Sequence, residues 1–196
     1  MKTLLVALSH PDDEVGCAGT IAAHRAAGDR VVLLWLTRGE MTEIYGDLEP
    51  DAVAERRMQH GREAAAILGA EALFLEFPDT RVHATPESAR EVAGTVAGIR
   101  PDAVITWGEA WARGMRHPDH QATGKIVRDA ITLARLRRVV GSTPHREPAP
   151  LFTLRGEFST LPEAAVDVSP HLDAVLELAA YYRERVGWPK EDWLRD

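Results

Sequence analysis

The chain has 196 residues, 45% hydrophobic and 27% charged, a composition that suits one well-buried domain and argues against disorder. Its 23 basic and 30 acidic side chains leave a formal net charge of -7. No basic cluster offers nucleic acid or anionic lipid an electrostatic footprint, so neither is an expected partner. Cys17 is the single cysteine, which rules out an intramolecular disulfide and fits a reducing, cytoplasmic setting.

The opening apolar run, Met1 to Leu8, is too short for an export signal and ends at His10-Pro11-Asp12-Asp13-Glu14. No later segment approaches the ~20 apolar residues that span a bilayer, so no membrane span is expected. Four brief runs rich in Val, Leu, Ile and aromatic residues read as buried strands: Thr3–Leu8, Val31–Leu36, Leu73–Phe77 and Ala103–Trp107. Between them, Val15–Ala27, Ala52–Leu68 and Pro86–Ile99 carry helical periodicity. The second of these follows Glu49-Pro50-Asp51 and stops at Gly69. Another helix is expected from about Pro118 to Arg138, and a loop from Gly141 to Pro150. Two short strands, Leu151–Leu154 and Ala164–Val168, should follow. A last amphipathic helix should begin with Ser169 as N-cap and Pro170 in its first turn. Strand and helix in alternation predict an α/β fold, a three-layer Rossmann-like arrangement with helices on both faces of a mostly parallel sheet. A single domain over residues 1–196 is the simplest organisation.

One short pattern occurs twice. His10-Pro11-Asp12-Asp13 follows the first strand, and His117-Pro118-Asp119-His120 follows the fourth by a loop; each opens a helix. Loops leaving the carboxyl ends of parallel strands share one edge of the sheet, where ligands bind. His10, Asp12, Asp13, His117, Asp119 and His120 should therefore meet in one cleft, with Glu14 close by. Carboxylates crowded together raise one another's pKa, and a divalent cation relieves that repulsion. Imidazole with carboxylate suits zinc, and three protein ligands with an open water position is its catalytic form. His10 and Asp13, three residues apart, can supply two ligands from one turn, and His120 can supply a third. Spacing alone does not separate Asp12 from Asp13, or His117 from His120. Each His-Pro-Asp segment taken singly also fits ordinary turn and N-cap chemistry. Their matching topological positions are what that simpler account leaves unexplained. Gly16 and Gly19 make no G-x-G-x-x-G, and no G-x-S-x-G elbow is present.

With Gly16 and Gly19-Thr20, the run from Ser9 to Glu14 resembles a signature of the PIG-L/LmbE family of zinc-dependent N-acetylglucosaminyl deacetylases. That family includes enzymes of mycothiol and bacillithiol biosynthesis. His117-Pro118-Asp119-His120 resembles its second signature. Thr37-Arg38-Gly39-Glu40, Glu55-Arg56-Arg57, Glu63-Ala64 and Leu68-Gly69 add to the likeness, which extends from Leu4 to about Gly124. The resemblance implies removal of an acetyl group from an N-acetylated amino sugar or similar small molecule. It further implies Zn2+ on His10, Asp13 and His120, Asp12 as general base, and His117 as charge stabiliser or proton donor. Arg56 and Asp79 occupy positions similar to substrate contacts, and a homo-oligomer is usual in the family. Alternatives are an amidohydrolase of the same fold acting on a non-sugar amide, and a non-catalytic metal-binding module. Trp107 and Trp111 flank the loop before His117, either lining the cleft or packing. The chain is short for the family, and its last helix reads Ala179-Ala180-Tyr181-Tyr182-Arg183-Glu184 where many members carry a histidine.

Overall fold

The computed structural model describes residues 1–108, 117–141, 143–155 and 162–189; Trp111 and Ser142 lie outside these. Five parallel strands form one sheet: β1 (Thr3–Leu8), β2 (Arg30–Thr37), β3 (Glu71–Phe77), β4 (Ala103–Thr106) and β5 (Leu151–Thr153). Their order is β3-β2-β1-β4-β5, so the connections run one way from β1 through β2 to β3 and the other way from β4 to β5. The order therefore reverses between β1 and β4, and a crevice opens at their carboxyl ends.

The central strands are apolar on both faces because helices cover both. Leu4, Val6 and Leu8 pack with Ile21, Trp35, Ala64, Leu178 and Tyr182 on one side. Leu5 and Ala7 pack with Val92, Val96, Ile126 and Val127 on the other. This strict alternation is the two-residue period of a strand. The first layer holds α1 (Ala18–Ala26), α2 (Pro50–Ile67) and α6 (Leu172–Val186); the second holds α3 (Pro86–Ile99), α4 (Pro118–Leu133) and the short α5 (Arg137–Val140). Pro sits in the first turn of α2, α3 and α4, where a missing N–H costs no hydrogen bond.

Expected and observed elements differ in four places. The first helix opens with a 3-10 turn, Asp13–Cys17, before α1 begins. The fourth ends at Leu133 because Leu136 is extended (φ -100°, ψ 108°), and it resumes only as α5. Ala164–Val168 is not a strand: most of the segment is exposed, and Val168 packs over α1 instead of pairing with the sheet. A Cβ added to Gly19 would fall 2.6 Å from Val168. Ser169 lies inside a 3-10 turn, Ser169–His171, rather than capping α6.

Candidate metal centre

The two histidine-proline-aspartate segments meet at the crevice between β1 and β4. β1 delivers Ser9 and His10 to the sheet edge, where the Thr37 N–H and hydroxyl both donate to the Ser9 carbonyl, at 2.9 and 3.0 Å. From the opposite side, the Ser9 hydroxyl donates to Thr123 of α4 at 2.9 Å, a buried link between segments 114 residues apart. Close approach of α4 depends on Gly124, since a Cβ there would lie 2.4 Å from the Trp107 carbonyl oxygen.

Asp13 sits between two imidazoles. Its Oδ1 is 3.2 Å from His120 Nε2, and its Oδ2 is 3.7 Å from His10 Nδ1. Neighbouring ligand atoms on a tetrahedral zinc ion stand roughly 3.3 Å apart, given bonds of about 2.0–2.1 Å. The two contacts, made by different oxygens of Asp13, are of that order. Oδ2 also accepts from the backbone N–H groups of Ser9 and His10 and from Trp107 Nε1, which fixes the carboxylate. Trp107 stacks on the His120 ring, with centroids 3.9 Å apart and planes 8° from parallel. Trp107 thus does both things expected of it, lining the cleft and packing against the core.

His10 is aimed by acids on its far side. Its Nε2 lies 3.2 Å from Asp119 and 3.1 Å from Asp79. Asp119 is fully buried and also accepts from the backbone N–H groups of Thr80 (2.7 Å) and Val82 (3.2 Å). One carboxylate thereby joins α4 to the β3–α3 loop and orients the ring, as acids behind metal-binding histidines do. Burial alone would lower the His10 pKa, but Asp119, Asp13 and Asp79 outweigh it and push the ring up to about 12. A proton on His10 offsets the carboxylates around it, and a divalent cation would meet the same need. Burial would raise Asp13, yet its bonds to His10 and His120 hold it well below the usual carboxylate range. His10, His117 and His120 bring ligand atoms within 4.8 Å of one another, as do His10, Asp79, His117 and Asp119. The cleft is thus a possible metal-binding site.

Asp12 points elsewhere. Its backbone has φ 117°, a left-handed conformation that costs a non-glycine residue about 1–3 kcal/mol and persists only where surroundings impose it. Arg57 Nη2 donates to its carboxylate at 2.9 Å and also to the Pro11 carbonyl. Arg57 has 4% of its surface exposed and is the cation that neutralises Asp12. Burial raises the Asp12 pKa, opposed by Arg57 and reinforced by Asp13. His117 Nδ1 accepts from the Asp119 N–H at 3.2 Å, so in the neutral ring the proton resides on Nε2. Burial and then the charge of His10 lower the His117 pKa, favouring that neutral form.

These groups line a cavity of about 570 Å³ that contains His10, Asp12, Asp13, Arg57, Asp79, Trp107, His117 and His120. Six of the seven proposed site residues are among them. Arg56 is not: it is exposed, with its guanidinium 5.5 Å from the Tyr45 ring centroid. The next residue, Arg57, takes the cleft position, because it shares the buried stripe of α2 with Val53, Gly61 and Ala64. That four-residue spacing was the signal available in the sequence. Cys17 is buried, and burial raises its thiol pKa, so it serves packing.

A model of the PIG-L family, described as GlcNAc-PI de-N-acetylase, matches residues 5–131. A diacetylchitobiose deacetylase of Thermococcus kodakarensis is 28% identical over 98% of the chain and 73% of its own length. A 1D-myo-inositol 2-acetamido-2-deoxy-alpha-D-glucopyranoside deacetylase of Kineococcus radiotolerans is 31% identical over 68% of the chain, which spans 45% of that relative. The crystal structure of a conserved protein from Thermus thermophilus superposes with a TM-score of 0.83 at 33% identity, over 100% of this chain and 85% of that one. The matched segment carries both histidine-proline-aspartate turns, Arg57 and Asp79, and the chain belongs to the PIG-L family.

Proposed function

We propose that the chain is a zinc-dependent hydrolase that removes the acetyl group from an N-acetylated amino sugar, giving acetate and a free amine. The observation that carries this reading is Asp13 standing between His10 and His120, with Asp12 held apart from them by Arg57. The deacetylases among its relatives favour an N-acetylglucosamine-type substrate.

His10, Asp13 and His120 would hold the ion. When bound, zinc supplies a Lewis acid for the acetamide oxygen and lowers the pKa of water towards ~7. Asp12, ionised opposite Arg57, accepts a proton from the attacking water. His117 presents its Nε2–H to the oxygen that becomes negative at the tetrahedral stage; one such donor contributes about 10²–10³ in rate. The departing nitrogen receives the proton from Asp12 or from His117. Asp79 lines the cavity and is the substrate contact of this reading.

Residues 1–196 act as one domain, in keeping with α6 packing on both α1 and α2. No helix among the described residues is long and apolar enough to cross a membrane. A reducing cytoplasm suits the lone buried Cys17. The test is a panel of N-acetylglucosamine, N,N'-diacetylchitobiose and an N-acetylglucosaminyl-inositol, scored by amine release with zinc-loaded and chelator-treated protein. Amine release that depends on metal supports the reading. Loaded protein that releases no amine from any of the three removes it.

A further inference from the structure

The resemblance to the family weakens beyond α4, and the matched segment stops at residue 131, yet one side chain of α6 reaches the candidate centre. Tyr182 is fully buried, and its hydroxyl donates to Glu14 Oε1 at 2.6 Å. The other oxygen, Oε2, accepts from the indole of Trp35 at 3.1 Å and from the backbone N–H of Asp12 at 3.0 Å. Glu14 is fully buried as well. Donors from α6, from β2 and from the cap of the turn that carries Glu14 meet on one carboxylate, and that carboxylate fixes the peptide of Asp12.

That peptide needs fixing. Asp12 is held at φ 117° without the freedom of glycine, and its side chain turns to Arg57 while its neighbour Asp13 turns to the histidines. A relaxed peptide would swing the Asp12 carboxylate away from the cavity while leaving Asp13 bound to the Ser9 and His10 amides. Packing alone does not require the Tyr182 hydroxyl: Val175 and Leu178 bury the same face of α6 without any polar atom.

We infer that Tyr182 is a positioning residue for Asp12, acting through the buried carboxylate of Glu14. The inference rests on the reading of Asp12 as general base. Tyr182→Phe keeps the ring and removes only the donor. With N,N'-diacetylchitobiose as substrate, kcat should fall about tenfold and KM should stay within about twofold, because misplacing a reacting group costs rate more than binding. Zinc content per chain should be unchanged, and the backbone amide resonance of Asp12 should move in a heteronuclear NMR spectrum. Leu178→Ala on the same helix is the control for general loosening: Tm falls, while the Asp12 resonance and kcat per folded molecule stay near wild type. An unmoved Asp12 resonance in Tyr182→Phe overturns the inference, as does an equal loss of kcat in Leu178→Ala. Should Asp12→Asn turn over at the wild-type rate, the base assignment itself fails, whatever Tyr182→Phe does to the amide.

Discussion

The Arg57 guanidinium lies 2.9 Å from the Asp12 carboxylate, and each is the other's only ion-pair partner among the described residues. Arg57 is buried, so removing Asp12 leaves its charge uncompensated, and the pair acts as a unit.

The sign of a pH effect follows from it. Arg57 lowers the Asp12 pKa against the upward push of burial. In Arg57→Met that opposition is gone, so the Asp12 pKa rises and the acid limb of kcat/KM moves to higher pH. Activity at neutral pH should fall, by no more than the roughly 10²–10⁴ that one positioned acid-base group contributes. A pH-rate profile checks both, and an acid limb that stays in place would separate Arg57 from the ionisation of Asp12.

Asp12→Asn should retain zinc and lose about 10²–10⁴ in kcat, since the side chain keeps its shape but can no longer accept a proton. Metal analysis and turnover on the same sample give the answer.

His120→Ala should abolish stoichiometric zinc binding and activity together. On the proposed ligand set Asp119 would act on the metal through His10, so Asp119→Asn should weaken zinc affinity by about 10–100-fold without abolishing it. Competition with a chelator ranks the two variants; equal losses would mean that Asp119 is itself a ligand.

Gly124→Ala should destabilise the fold by about 1–3 kcal/mol, the cost of overpacking against backbone that cannot turn aside. The added methyl presses on the Trp107 carbonyl, so the stacking on His120 should loosen and zinc affinity should drop with it. Denaturant unfolding and zinc titration follow the two effects.

Much of this arrangement is legible in the sequence, for identifiable reasons. Leu4 to Leu8 and Val31 to Leu36 are uninterrupted apolar runs, which only a strand buried on both faces accommodates. The first histidine-proline-aspartate turn ends β1 and the second follows β4 by a loop, and these strands are neighbours at the reversal of strand order, so topology brings the turns to one edge. Arg57 is harder, because Arg56 beside it has the same chemistry and only helical phase tells the buried one from the exposed one. The partner of Glu14 is not legible, because nothing local ties it to Tyr182, 168 residues away. Ala164–Val168 has strand composition, but whether a strand forms depends on a sheet edge to pair with, and that is decided by the whole fold.

The reversal of strand order also governs when the centre can come into being during synthesis. His10 and Asp13 emerge early, but His120 and Asp119 lie on α4, which follows β4 in the chain. A ribosome-bound fragment ending before β4 would hold half a coordination shell and retain metal weakly. Capture of the proposed ion would report that the central strand has acquired both of its neighbours, and stripping it from zinc-loaded protein should loosen the seam between the halves of the sheet first.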